Sequence, residues 1–400
     1  MIGMTVVGMD RSWLATPFLR HRVRITQHDQ INKLKKAGVR FVEVEEEASA
    51  EAVAIPPIGQ RSDPVFSEEN AEPPDAPSDH RTTAFDEELP VALAIYRSAK
   101  GVVEAAMNDV RIGRVIDSEG VSQLVTGMVD SILRNSDALV SLSRLKRFDE
   151  YTFFHSVNTS VLSVALGRRL GFSSRDLHLL GSGTLLHDIG KTKIPLEILN
   201  KPGRFEAHEF EIMKQHALRG VEVLTAPTGF QEDIIRPALE HHERVDGTGY
   251  PFGRHRAELT PFGLIASVVD VYDAMTSDRC YHKGMPAHRV LQHLYNLGQD
   301  GHLESKFVQQ FIQCVGVYPV GSCVVLDSGE TGIVSQLNED QPVSPKLILV
   351  RDANLCTMSP KTIDLKEQAT KPIRKIIAVV DSKELTIDVE RYLGTARCNT

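Results

Sequence analysis

Ten of the 15 histidines in this 400-residue chain lie between His155 and His288, several of them close to carboxylates. His187 is followed directly by Asp188, and Lys191 comes three residues later. His241 and His242 are adjacent, and Asp270 and Asp273 are one helical turn apart. Imidazole and carboxylate donors without thiolate suit iron, manganese or similar divalent ions better than a structural zinc. Five histidines (His155, His187, His216, His241, His242) and two aspartates exceed the donors of one tetrahedral site, which points to two ions per chain. Taken singly, each histidine would be a hydrogen-bonded structural residue. Together they argue for a metal-dependent hydrolytic centre.

The elements that must position these groups read as helices. Ser173-Ser174 is an N-cap signal for a helix expected to run through Asp188. On it Leu177, Leu180, Gly181, Thr184 and Asp188 share a face, with His187 about 100° away. Thr260-Pro261 opens a second helix, on which Phe262, Ile265, Ala266 and Val269 form a stripe that Asp270 and Asp273 continue. His155 is expected to begin a helix ending at Gly171. His216 is expected at the edge of a helix whose apolar face is Phe210, Met213, Ala217, Val221 and Leu224. Carboxylates on apolar faces need cationic partners, and Lys191 and a metal are the candidates.

Around this block the chain divides by composition. Residues 1–47 read as a small α+β module, with a strand at Thr5-Val6-Val7, a helix over Gln27 to Lys36 and an alternating strand from Val39 to Val44. Such a module fits regulation or docking. Residues 48–90, rich in proline and acids, read as a disordered linker. Residues 91–150 read as a helical lead-in, 151–317 as the metal-bearing domain, 318–366 as a β-rich appendage and 367–400 as a tail. The fold class is mainly α. A net charge of −8 argues against a nucleic-acid polymer as partner. Five cysteines, odd in number and without a CxxC pair, no signal-peptide pattern and no long apolar run predict a cytoplasmic chain without a membrane span. The oligomeric state stays open.

His187-Asp188-Ile189-Gly190-Lys191, with His241-His242-Glu243-Arg244, Asp246-Gly247 and Gly249-Tyr250-Pro251, closely resembles the signature of the HD-GYP domain. That is a subgroup of the HD phosphohydrolase superfamily whose members degrade cyclic di-GMP. Gly8-Met9-Asp10-Arg11 and Trp13 resemble part of a small domain often found before it. The resemblance implies a helical HD-superfamily domain and gives the residues roles. His155, His187, Asp188 and Asp270 would hold one metal. Asp188 would bridge to a second, held by His216, His241 and His242. Lys191, oriented by Asp273, would contact a substrate phosphate, and Arg279 would bind phosphate or guanine. Where the family commonly has Pro-Tyr-Arg after that arginine, this chain has Cys280-Tyr281-His282, leaving Lys283 as the substitute. Some members carry a glutamate four residues before the first ligand histidine, next to a third ion. Tyr151 stands there in this chain, so two ions are expected.

The implied reaction is attack of a bridging hydroxide on a phosphodiester, two metals about 3.5–4 Å apart neutralising the phosphoryl oxygens and Lys191 meeting the developing charge. Linear pGpG would be the product, with further cleavage to GMP left open. The loop Gly247, Gly249, Tyr250, Pro251 has two readings: a sharp turn beside the ligands, or a docking loop for diguanylate cyclase (GGDEF) domains. Two alternatives stand beside the phosphodiesterase: a catalytically weak cyclic di-GMP-binding module, and a hydrolase of another nucleotide.

Overall fold

The structure, a computed structural model, describes residues 83–143, 151–225, 230–277, 284–338 and most of 341–393, with short strand segments within the first 45 residues. The chain divides into two units, Met1–Glu72 and Pro73–Thr400. In the first, β1 (Thr5–Met9) lies between β2 (Val23–Arg24) and β3 (Val42–Glu45) in an antiparallel sheet. The helix expected over Gln27 to Lys36 lies, but for Lys35, outside the described residues.

The second unit is mainly helical. It opens with α1 (Phe85–Arg111) and α2 (Ser118–Leu142), followed by α3 (Tyr151–Arg169) and α4 (Ser174–Leu185). Then come α5 (Ala207–Lys214), α6 (His216–Thr225), α7 (Glu232–Glu240), α8 (Pro261–Thr276), α9 (Ala287–Gln299) and α10 (Ser305–Val315). Apolar stripes of these helices share one core. Val103 of α1, Met128 and Ile132 of α2, Leu162 and Leu166 of α3, Leu180 of α4 and Phe311 of α10 are buried in it. The lead-in helices α1 and α2 are therefore part of the same body as the metal-bearing helices.

The linker reading ran too far. α1 begins at Phe85 and contains Pro90. Its acidic first turn, Asp86, Glu87 and Glu88, resembles linker composition, yet acids there complement the positive end of a helix. Glu88 is buried, taking hydrogen bonds from Arg134 Nε (2.7 Å), Arg134 Nη2 (2.9 Å) and Ser131 Oγ (2.8 Å) of α2. Residues 46–82 lie outside the described ones.

After α10 the chain forms the expected β-rich appendage. It is a five-stranded antiparallel sheet of β4 (Cys323–Leu326), β5 (Thr331–Gln336), β6 (Lys346–Arg351), β7 (Thr357–Asp364) and β8 (Ile376–Val380), in the order β7-β6-β5-β4-β8. Val324, Leu326, Val334, Leu347 and Leu349 make its own small core. The boundary at 366 is corrected here: β8 pairs with β4, so the sheet takes in residues assigned to a tail. The run Ile376-Ile377-Ala378-Val379-Val380, rich in β-branched residues, is itself a strand signal. Among the described residues, no helix is long and apolar enough to cross a membrane.

Candidate metal centre

Four of the five candidate ligand histidines, His187, His216, His241 and His242, stand at or just beyond helix ends. Ser173 caps α4, its Oγ accepting from Asp176 N at 3.2 Å. The helix stops at Leu185, so His187 and Asp188 lie in the turn beyond it, and Asp188 starts a 3-10 segment, Ile189–Lys193. This corrects the expectation that both sit on the helix. Gly190 explains the turn. A Cβ there would lie 1.9 Å from His216 O and 2.4 Å from Gly220 N, so only glycine lets the 3-10 segment meet α6 this closely. His216 is likewise not in the middle of a helix but at the break between α5 and α6. Phe210, assigned to the apolar face, is 44% exposed. His241 is the C-cap of α7. His155 lies one turn inside α3 rather than at its start. α8 is capped by Thr260 Oγ1, accepting from Gly263 N at 3.1 Å, and carries Asp270 and Asp273 as expected.

These ends bring two donor groups together: His155, His187 and Asp188, and His216, His241 and His242. Asp188 lies between them. Its Oδ2 is 3.6 Å from His155 Nε2 and 3.5 Å from His187 Nε2, and its Oδ1 is 3.5 Å from His216 Nε2 and 3.7 Å from His241 Nε2. Asp270 Oδ1 stands 3.2 Å from His155 Nε2 and 3.8 Å from His187 Nε2, while its Oδ2 is 3.9 Å from His242 Nδ1. All seven expected ligands therefore converge.

Backbone carbonyls set three of the rings. Nδ1–H of His187 donates to Thr184 O (2.7 Å), that of His216 to Met213 O (2.7 Å) and that of His241 to Pro237 O (2.8 Å). Each bond fixes the tautomer that leaves the Nε2 lone pair facing the cluster. His155 is set by a carboxylate instead, its Nδ1–H donating to Asp273 Oδ2 at 2.8 Å. Buried His187 Nε2 and Asp188 Oδ1 have no hydrogen-bond partner among the described residues, as befits atoms meant for a cation. The donor set fits divalent metal.

Burial holds His187, His216 and His242 below the usual imidazole range, and takes His241 down to about 3. These are neutral, as ligands must be. Burial also opposes charge on Asp188 and Asp270, but Lys191 and the imidazoles around Asp188, and His155 beside Asp270, keep both well below the carboxylate norm. At His155, burial is outweighed by Asp270 and Asp273, which carry it up to about 9 in the absence of metal.

Lys191 Nζ lies 2.5 Å from Asp188 Oδ2, half-buried at the edge of the cluster. Asp273, expected to orient Lys191, instead serves His155. Its other oxygen, Oδ1, accepts from Asn158 Nδ2 at 3.1 Å, and Asn158 Oδ1 accepts from Tyr96 Oη at 2.7 Å. Arg279 and Lys283 lie outside the described residues, as do Cys280, Tyr281 and His282.

The residues that follow the Gly247–Pro251 loop are held by two buried carboxylates to which the sequence reading gave no role. Glu243 accepts from Phe252 N (2.8 Å) and Arg254 N (3.0 Å). Glu240 accepts from Thr260 N (3.0 Å), Thr260 Oγ1 (2.7 Å) and Arg254 Nη1 (3.2 Å). A Cβ on Gly249 would lie 2.4 Å from Glu243 Cα, so this glycine is a close-packing requirement. The Tyr250 ring stacks on His242, centroids 4.5 Å apart. The loop thus abuts the ligands. Glu240 and Glu243 flank the His-His pair, and that adjacency was the available signal.

The helical architecture and a histidine–aspartate centre at helix ends define an HD-domain protein. A family model described as an HD domain matches residues 131–306, and a domain of unknown function, DUF3391, matches residues 1–121. A cyclic di-GMP phosphodiesterase of Pseudomonas aeruginosa is 34% identical over 355 residues, covering 86% of this chain and 82% of that one. A cyclic di-GMP phosphodiesterase of Thermotoga maritima is 36% identical over 163 residues, or 40% of this chain and 44% of that one. A 3'3'-cGAMP-specific phosphodiesterase of Vibrio cholerae is 35% identical over 141 residues, or 35% and 30% respectively. With that first relative matched over most of both lengths, the chain belongs to the HD-GYP family of cyclic di-GMP phosphodiesterases.

Proposed function

We propose that the protein hydrolyses cyclic di-GMP to linear pGpG at a centre of two divalent ions, iron or manganese. The observation that carries this reading is the two-sided Asp188 carboxylate, one oxygen facing His155 and His187 and the other facing His216 and His241. His155, His187 and Asp270 would complete one site and His216, His241 and His242 the other, with Asp188 shared. Bound ions would supply the Lewis acidity and the activated water that phosphodiester cleavage at neutral pH requires.

The chain's own groups do the rest. Three backbone carbonyls and Asp273 hold four imidazoles with their lone pairs inward. The Lys191 ammonium tethers Asp188 and sits where a phosphoryl oxygen would approach, ready to exchange part of that pairing for substrate. Glu243 and Glu240 anchor Phe252, Arg254 and Thr260 just beyond the Gly247–Pro251 loop, whose Tyr250 ring stacks on His242. We assign substrate phosphate contacts to Lys191, with Arg279 and Lys283 as further anchors, and docking of diguanylate cyclase domains to the Gly247–Pro251 loop, beside which Phe252 is 48% exposed.

The test is incubation of the full chain with cyclic di-GMP, with and without chelator, alongside metal analysis. Chelator-sensitive release of pGpG at close to two ions per chain is expected. Turnover of 3'3'-cGAMP alone would replace the substrate assignment. Binding of cyclic di-GMP without turnover in the metal-loaded protein would favour a sensing module.

A further inference from the structure

We propose that Tyr96 is a positioning residue for the metal centre, acting from α1 through Asn158 and Asp273 on the ring of His155. The observation is a continuous line of buried hydrogen bonds. Tyr96 Oη donates to Asn158 Oδ1 (2.7 Å), Asn158 Nδ2 donates to Asp273 Oδ1 (3.1 Å), and His155 Nδ1–H donates to Asp273 Oδ2 (2.8 Å). Tyr96 is 5% exposed, Asn158 2%, Asp273 1% and His155 3%, so water competes little for these bonds. At the far end, His155 Nε2 faces Asp270 and Asp188.

Each member constrains the next. An amide has one acceptor end and one donor end, and here both are engaged. The phenol hydroxyl donates to Asn158 Oδ1, which leaves Nδ2 toward Asp273. Were the amide to flip, its oxygen would face a carboxylate oxygen, and one of the bonds that steady Asp273, beside that from Ser277 Oγ to its Oδ2 (3.3 Å), would become a repulsion. Asp273 then fixes the tautomer and tilt of His155, as carboxylates do behind ligand histidines. The Tyr96 ring also stacks on Phe154, the neighbour of His155, at 5.5 Å and 16°. α3 is thus gripped at two points by one side chain.

What makes this more than core packing is where Tyr96 stands. It lies within the 1–121 match to the domain of unknown function, whereas the HD-domain match begins only at residue 131. A residue from the first family region therefore completes the outer shell of a site formed by the second. α1 is itself pinned to α2 by the Glu88–Arg134 pair, so it bears on His155 as a rigid lever rather than as a loose strap. A displacement of α1 would reach the centre by way of Asn158.

The inference rests on the metal-centre reading, and manganese binding to the full chain, titrated by electron paramagnetic resonance of free Mn²⁺, tests the two separately. Outer-shell partners of ligand histidines change metal affinity about 10–100-fold, so Asp273→Asn should weaken the tighter-perturbed site by that much and Tyr96→Phe, one bond further out, by about 3–10-fold. Tyr96→Phe keeps the ring and its stack on Phe154, and its thermal midpoint reports any general loss of packing. The decisive readout is the double variant. If Tyr96 acts through Asp273, the Tyr96→Phe/Asp273→Asn chain binds manganese no more weakly than Asp273→Asn alone. Additive losses, or undiminished affinity in Tyr96→Phe, would overturn the relay. A parent chain that bound neither manganese nor ferrous iron would overturn the metal reading, and the relay with it.

Discussion

Gly190→Ala offers a sharp test of how the centre is assembled. The added Cβ would lie 1.9 Å from His216 O, 2.4 Å from Gly220 N and 2.9 Å from Gly220 Cα. These are backbone atoms, with no side chain to swing aside. Ordinary contact begins near 3.4 Å, so the 3-10 segment and α6 must part by about 1.5 Å (3.4 − 1.9). Overpacking of this kind costs about 1–3 kcal/mol, which for a body of this size lowers the thermal midpoint by about 2–12 °C. The larger effect is local. Asp188 precedes this segment and His216 opens α6, and the two now stand 3.5 Å apart. Metal–ligand distances tolerate only about 0.2 Å of error, so a shift of that size should separate the donors of the second site and abolish its occupancy. Calorimetry and metal analysis on the same preparations would check both parts. A Gly190→Ala chain with the parent's metal content and a midpoint within about 1 °C of it would refute the close-packing argument.

Other outcomes follow from the same geometry. Asp188→Ala removes the carboxylate shared by both donor groups, and turnover should fall below detection while far-ultraviolet dichroism keeps its helical form; retained activity would remove the shared-ligand role. In metal-free protein, the His155 imidazolium favoured by Asp270 and Asp273 contributes stability that is full below pH 6.5 and disappears as pH rises through about 9. Metal must displace that proton, so affinity at the His155 site should rise about tenfold per pH unit up to about 9, while the His216–His241–His242 site, already neutral, stays nearly flat. Two sites with the same pH slope in manganese titrations would contradict this. Glu243→Gln turns an acceptor into a donor facing a backbone N–H of the loop, at a cost of about 1–3 kcal/mol. About a tenfold loss of kcat/KM with full metal content is expected, and loss of metal instead would make Glu243 part of ligand assembly rather than of loop placement.

The donor set was legible because its members are rare residue types in diagnostic adjacency. His187-Asp188 and His241-His242 announce themselves without any knowledge of the fold. Helix periodicity located α8 well because Thr260-Pro261 is a strong start and the apolar stripe runs unbroken to Asp270. Periodicity misled at α4 and at His216, where helices stop a residue or two before the functional group. The stopping points depend on the Gly190–α6 contact, a tertiary event with no local signature. The same limit hid Tyr96 and Asn158, which are 62 residues apart in sequence. The acids at 86–88 read as linker because the one that is buried, Glu88, meets its partner Arg134 46 residues further on.

One arrangement has an electrical consequence. α4, α5 and α7 each end within two residues of a ligand histidine, and Nδ1 of that histidine takes up a carbonyl from the helix's last turn. Helix C-termini carry about half a negative charge each. Three of them therefore converge on a pocket that already contains two carboxylates held ionised. These charges favour a divalent cation over an anion, and in the metal-free chain the Lys191 ammonium and the His155 imidazolium partly offset them. An anionic nucleotide is therefore expected to bind the metal-free chain more weakly than the metal-loaded one, the cations having reversed the local sign.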